Sequence, residues 1–113
     1  MNLIEQTSCE APDIVNPTGE EIWTHVGRNM ALVRLRPGTS SEEHFHKLTK
    51  EWYSLIQGRP TLYLNGEEAE LVLGKPVEIE PQVIHHILNK TDDDVYFLVQ
   101  GDRKWDPSDQ YLI

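Results

Sequence analysis

The feature of this sequence that most limits its possible folds is the regular return of turn-forming residues between short runs of β-forming residues. Turn signals such as Pro37-Gly38, Asn65-Gly66 and Pro81 recur roughly every 8 to 12 residues, and no segment keeps a helical period. The predicted strands are EIWTHV, NMALVRLR, EWYSLI, TLYL, AELVL, PVEI, VIHHIL and VYFLV. The pattern predicts an all-β antiparallel sandwich or barrel, with a type I′ hairpin turn at Asn65-Gly66.

A length of 113 residues suits one domain. We expect an N-terminal arm over residues 1–20, with room for one short strand, and a β-barrel domain over residues 21–113. Cys9 in the arm is the single cysteine and cannot form an internal disulfide. The C-terminal segment GDRKWDPSDQYLI is expected to pack Trp105 and Tyr111 on the outside of the barrel.

Charge and hydropathy limit the partners of the chain. The formal net charge is -9, with 10 basic residues scattered among 19 acids, which argues against binding to nucleic acid. No apolar run approaches the roughly 20 residues of a membrane span. The start MNLIEQTSCEA lacks the basic flank and the apolar stretch of a signal peptide. We therefore expect a cytoplasmic protein with no nucleic-acid or membrane partner.

The stretch GTSSEEHFHKLTKEWYSLIQG, residues 38–58, collects candidate metal ligands. In a strand, alternate side chains share a face, so His44 and His46 point the same way. If this strand pairs with EWYSLIQ as a hairpin, Glu51 lies beside both histidines. The same alternation puts Tyr53 on the face of Glu51, where it is either a proton-donating or substrate-orienting residue or part of the core.

A further ligand is expected from VIHHILN, where alternation turns one of the adjacent residues His85 and His86 inward and the other outward. Imidazoles that meet in an apolar interior need a shared partner, and a divalent cation satisfies their lone pairs at once. Histidine and carboxylate ligands suit a first-row transition metal (Zn, Fe, Mn, Ni, Co or Cu) and disfavour a dedicated calcium site.

Three other positions leave alternatives open. Arg34 or Arg36 could point inward and favour a charged substrate, but the apolar residues of NMALVRLR compete for that face. His25 has no partner that the sequence identifies, and a structural or exposed role is expected. Asn89 is either a donor behind the metal ligands or part of a turn at the end of a strand.

These motifs resemble those of the cupin superfamily. The spacing from Gly38 through His44, His46 and Glu51 to Gly58 matches the first cupin motif, and Gly74, His85 and Asn89 match the second. Lys75, Glu80 and Gln82 depart from the second motif, which affects only the turn before its strand. The resemblance covers about residues 30–113 and implies a single jelly-roll β-barrel with His44, His46, Glu51 and His85 as metal ligands.

The resemblance implies several possible activities. The metal hairpin is similar to those of cupin-type sugar-phosphate isomerases, such as mannose-6-phosphate isomerases, and of quercetinase-like dioxygenases, and the superfamily also includes decarboxylases. We therefore expect a metalloenzyme for a small oxygen-bearing substrate bound in the barrel, with Tyr53 as the candidate catalytic residue. The alternatives are a binding module that captures a small carboxylate or sugar-like ligand, and a barrel whose metal is only structural. Free strand edges and the arm predict a homodimer.

Overall fold

The computed structural model describes Ile14–Val15 and residues 21–113 of the chain. These residues form eleven strands: β1 (Ile14–Val15), β2 (Ile22–Gly27), β3 (Met30–Leu35), β4 (His44–Phe45), β5 (Glu51–Gln57), β6 (Thr61–Leu64), β7 (Glu67–Ala69), β8 (Val77–Ile79), β9 (His85–Leu88), β10 (Val95–Gly101) and β11 (Tyr111–Leu112). In the described part of the chain the only helical element is a 3₁₀ turn, Pro107–Asp109. The all-β prediction is therefore confirmed.

The strands form two antiparallel sheets. The first sheet has the order β1-β2-β3-β10-β5-β8, and the second has the order β11-β4-β9-β6-β7. Together they make the jelly roll that the sequence predicts. In the arm, β1 pairs with β2, while the arm's other residues, Cys9 among them, lie outside the described residues.

The core lies between the two sheets and follows strand alternation. Phe97 of β10 lies opposite Val33 of β3 on one side and Leu55 of β5 on the other. The second sheet contributes Leu62 and Ile87, which are paired in register and fully buried. Each such side chain stabilises the fold by about 1.5–3 kcal/mol through apolar burial. The core is continuous across both sheets.

The burial pattern of β3 shows where the side chains of Arg34 and Arg36 point. Ala31, Val33 and Leu35 are buried in the core, so Arg34 lies on the opposite face of the strand. Arg36 follows the strand and is exposed. Neither arginine therefore points into the barrel interior.

The hairpin turn is confirmed, and it explains one incorrect prediction. Asn65 and Gly66 have φ angles of 50° and 82° and join β6 directly to β7, as a type I′ turn requires. This turn fixes the pairs Leu64↔Glu67 and Leu62↔Ala69. Because β6 begins at Thr61, a strand over AELVL would run out of partners, and that prediction is wrong: β7 ends at Ala69.

Candidate metal centre

Three histidines meet inside the jelly roll. His44 on β4 lies directly opposite His85 on β9 in the second sheet, and His46 follows β4 immediately. Their ligating nitrogens lie within 4.8 Å of one another. His44 and His85 are 3% and 1% exposed. The structure thus brings together the three histidines that the sequence singles out, and they could hold a metal.

Glu51 joins the histidines, but by a different route from the one expected. Its Oε1 lies 3.0 Å from Nε2 of His46 and 3.4 Å from Nε2 of His85. The hairpin prediction is wrong, because β4 pairs with β9 and β11 whereas β5 pairs with β8 and β10 in the other sheet. The link over residues 47–50 crosses between the sheets, so Glu51 approaches from the facing sheet.

The orientation of the rings determines which nitrogen is available. The Nδ1 atoms of His44, His46 and His85 lie 2.7, 2.7 and 2.9 Å from the backbone carbonyls of Glu42, Asp109 and Val83. A carbonyl only accepts hydrogen bonds, so each Nδ1 carries the proton and donates it. In the neutral rings the lone pairs are therefore on the Nε2 atoms.

Those lone pairs lack a donor among the described residues. Nε2 of His46, Nε2 of His85 and Oε1 of Glu51 are all buried without a hydrogen-bond partner in the described part of the protein. Acceptors that face each other at about 3 Å in an apolar interior are costly unless a cation lies between them. Nitrogen and carboxylate donors are those that divalent transition metals prefer. The residues present therefore fit such an ion.

The charge states agree with a metal site. Burial, and after it the neighbouring His85, lower the pKa of His44 to about 4. Burial opposes the ionisation of Glu51, but its contacts with His46 and His85 outweigh burial and lower its pKa to about 2. At neutral pH the site therefore contains a neutral His44 and an ionised Glu51. For His46, burial is outweighed by the contact with Glu51, and its pKa is raised, so a metal at Nε2 would displace a proton that this ring otherwise shares with Glu51.

A cavity leads to the metal centre from one end of the jelly roll. His46 and Glu51 lie in its wall, together with His25, Arg103 and Trp105. The ring of His25 lies 4.7 Å from that of Trp105 and 6.0 Å from that of Trp23. Trp105 is 46% exposed, as expected for a residue on the outside of the barrel, and it also borders the cavity. Sequence reasoning missed His25 and Arg103 as residues of the site, because only folding brings them to it.

Tyr53 is buried in the core. Its ring lies 5.0 Å from Phe97 and 5.9 Å from His85, between ring centroids. Burial, together with the charges of Glu51 and Glu21, raises its pKa well above the usual value. The hydroxyl therefore stays protonated, gives up its proton with difficulty and can donate a hydrogen bond.

The remaining sequence candidates have structural roles. Asn89 donates to the carbonyls of Leu35 and Asp93 and accepts from Thr91, so the strand-end role is confirmed. His86 points away from His85 and stacks on Tyr63 at 4.9 Å. Gln82, in the turn before β9, has a φ of 75°. The second motif thus keeps its left-handed turn although glycine is absent.

Comparisons with known proteins agree with this fold. A family model described as "Cupin domain" matches residues 31–101, while no curated protein sequence matches the chain significantly. A candidate sugar phosphate isomerase from Acidithiobacillus ferrooxidans superposes with a TM-score of 0.75 at 23% identity, covering 94% of this chain and 75% of that one. A predicted oxalate decarboxylase from Thermotoga maritima gives 0.69 at 22%, covering 91% and 92%.

A third similar structure is a longer protein. The capsular polysaccharide assembling protein CapF from Staphylococcus aureus superposes with a TM-score of 0.71 at 21% identity. The match covers 91% of this chain and 34% of CapF, so this chain spans about a third of that protein. At these identities it is the superpositions that establish a shared fold.

Proposed function

Because this chain belongs to the cupin domain family, we propose that it is a small metalloenzyme with a divalent transition metal at His44, His46, Glu51 and His85. Its substrate is a small anionic molecule that carries oxygen ligands, and the sugar-phosphate isomerase type fits best. The observation that carries the proposal is the convergence of buried Nε2 atoms on the Glu51 carboxylate without a donor between them.

The protein residues prepare a site with room for substrate. Four side-chain ligands leave open positions on a metal that accepts five or six, and a bound metal supplies Lewis-acid polarisation of a substrate oxygen there. His44 and His85 lie on β4 and β9 of one sheet, and His46 directly follows β4. Glu51 comes from the facing sheet. This leaves the cavity beside His46 and Glu51 as the approach for substrate.

Arg103 favours an anionic substrate. Its side chain borders the cavity, where a guanidinium can pair with a phosphate or carboxylate through two hydrogen bonds. The likeness to a candidate sugar phosphate isomerase supports phosphate, and the likeness to a predicted oxalate decarboxylase makes carboxylate the second choice.

Two residues are candidates for a part in the reaction, one as a base and one as a hydrogen-bond donor. His25 borders the cavity, and burial lowers its pKa, so it is neutral at pH 7 and able to accept a proton. Tyr53 keeps its proton and would orient a group held beside His85 by donating a hydrogen bond. Isomerisation of a sugar phosphate moves a proton between neighbouring carbons, and His25 would take this proton from one carbon and return it to the other.

The test of the metal site compares histidine variants. Protein purified without a chelator is expected to contain one transition-metal ion per chain by elemental analysis, and His46→Ala with His85→Ala is expected to lose it. His86→Ala is the matched control, because this neighbouring histidine faces outward. A native protein without stoichiometric metal would refute the metal site.

The test of the activity uses substrate panels. We expect interconversion of aldose and ketose phosphates, with a higher KM in Arg103→Met and little change in Arg28→Met, an exposed arginine near Trp105. Oxygen uptake with flavonols or diketones would indicate a dioxygenase, and release of carbon dioxide from oxalate or keto acids a decarboxylase. Tight binding of these ligands without turnover would favour a non-catalytic binding module.

The organisation of the protein in the cell stays a set of predictions. Within the described residues no helix is long and apolar enough to cross a bilayer. The division into an arm, residues 1–20, and a barrel domain, residues 21–113, is proposed together with a cytoplasmic homodimer. Light scattering that gives the monomer mass of 13.1 kDa at micromolar concentration would contradict the dimer.

A further inference from the structure

The three histidines of the metal centre are held in different ways. His44 and His85 each donate from Nδ1 to a carbonyl two residues earlier in the chain, those of Glu42 and Val83. His46 instead donates to the carbonyl of Asp109, 63 residues later. Two ligands are thus oriented by their own chain segments, and the third depends on the C-terminal segment.

Asp109 is anchored to the same loop that His46 begins. Its carboxylate accepts hydrogen bonds from the backbone amides of Lys47, Leu48 and Thr49 at 3.0 to 3.2 Å. The hydroxyl of Thr49 adds a bond of 2.7 Å. Asp109 is only 5% exposed. An ionised carboxylate that accepts this many bonds is rigidly held.

The backbone turn that carries Asp109 is also fixed. Asp109 ends the 3₁₀ turn Pro107–Asp109, in which the backbone amide of Ser108 donates to the carboxylate of Asp106. The backbone of the turn therefore cannot move without breaking either this bond or the bonds from residues 47–49. Burial opposes the ionisation of Asp109, but those bonds outweigh it and lower its pKa.

The side-chain carboxylate and the backbone carbonyl of Asp109 both act on His46. The carboxylate fixes the backbone that follows His46, while the carbonyl fixes the imidazole ring and its tautomer. We infer that Asp109 is a positioning residue that holds His46 with Nε2 directed into the metal centre, so that the C-terminal segment completes the site. This inference rests on the proposed function, because it concerns the same metal site.

The experiment compares Asp109→Ala and Asp109→Asn with Asp102→Asn. Asp102 is a suitable control. Its carboxylate also accepts a hydrogen bond from a backbone amide of residues 47–50, that of Lys50, but it does not contact His46. Folding is checked by circular dichroism. In metal-free protein, ¹⁵N NMR of the imidazoles reports the tautomer of each histidine; with metal, titration of Zn²⁺ against a chelator reports affinity.

In native protein, at a pH high enough to keep the His46 ring neutral, His46 is expected to be a single tautomer protonated at Nδ1. In Asp109→Ala, His46 is expected to become a mixture of tautomers while His44 and His85 do not change, and Zn²⁺ affinity is expected to fall about 10- to 100-fold. Asp109→Asn, which keeps one acceptor oxygen, is expected to lie between native protein and Asp109→Ala. If the Ala variant does not fold, Thr49→Val, which removes only the hydroxyl bond, is expected to shift both readouts less and in the same direction.

The inference is overturned if a folded Asp109→Ala protein keeps the native His46 tautomer and binds Zn²⁺ as tightly as Asp102→Asn. It is also overturned if Thr49→Val is the only folded variant and leaves both readouts unchanged. If native protein binds no metal but Asp109→Ala still changes the His46 tautomer, the proposed function fails and the positioning of His46 by Asp109 is supported.

Discussion

His44 and His85 lie directly opposite each other on β4 and β9, with their ring centroids 4.2 Å apart. Both are buried, so two positive charges at this point would be strongly unfavourable. Burial, followed by the effect of His85, lowers the pKa of His44 from the usual 6.5 to about 4. His44 is therefore held in the neutral form that a metal ligand requires.

The stability of the metal-free protein should depend on pH through His44. Between pH 6.5 and 4 the unfolded chain binds a proton at His44 that the folded protein does not bind, so the free energy of unfolding falls as the pH falls. The loss over this window is on the order of 3 kcal/mol. Urea unfolding in the presence of a chelator at several pH values measures it. His44→Gln should reduce the slope and His86→Gln should not; equal slopes in all three proteins would contradict the prediction.

Gly58 should tolerate no side chain. Its φ is +97°, and a Cβ there would lie 2.8 Å from Cγ2 of Val95 and 2.9 Å from the carbonyl oxygen of Asp94. We expect Gly58→Ala to lower the free energy of unfolding by about 3 kcal/mol or more, because strain and overpacking add. Gly66→Ala is the matched control, with a φ of +82° and open space, and should cost about 1–2 kcal/mol. Equal costs in denaturant unfolding would refute the steric part of the argument.

Replacement of Gln82 by glycine should stabilise the protein. Gln82 has a φ of 75°, which strains residues with a Cβ. Its backbone amide donates to the carbonyl of His46, a bond that glycine keeps. Gln82→Gly is expected to raise the free energy of unfolding by up to about 1 kcal/mol. Gln100→Gly, at an exposed position of β10, should instead lower it by about 0.5–1 kcal/mol. Thermal unfolding of the two variants would show opposite shifts, and shifts of the same sign would count against the prediction.

Asn89 should be essential for stability rather than for metal binding. Its side-chain amide donates to the carbonyls of Leu35 and Asp93 at 2.9 and 2.7 Å, and it is 1% exposed. Asn89→Ala leaves these groups without their donor and should cost about 2 kcal/mol or more. Asn89→Asp keeps the acceptor but places an oxygen against the carbonyls, so it should cost at least as much.

The control for Asn89 is Lys90→Ala, an exposed neighbour, which should change stability by less than about 0.5 kcal/mol. Metal content should stay the same in every folded variant of this series. An Asn89→Asp protein as stable as the native one would show that the donated bonds do not matter.

Local sequence patterns predicted most of the strands and identified the candidate ligands. Strand alternation has a period of two residues, so the shared face of His44 and His46, and the opposite faces of His85 and His86, could be predicted from the neighbouring residues. The turn at Asn65-Gly66 is local in the same sense, since two residues that tolerate positive φ specify it.

The tertiary structure alone decided how the site is completed. Glu51 reaches the histidines from the facing sheet, His46 is held by Asp109 from the C-terminal segment, and Trp105 borders the cavity. These relationships depend on how two sheets face each other and where the chain end returns. Local periodicity carries no information about contacts between residues 60 positions apart, because those are set by the packing of the common core.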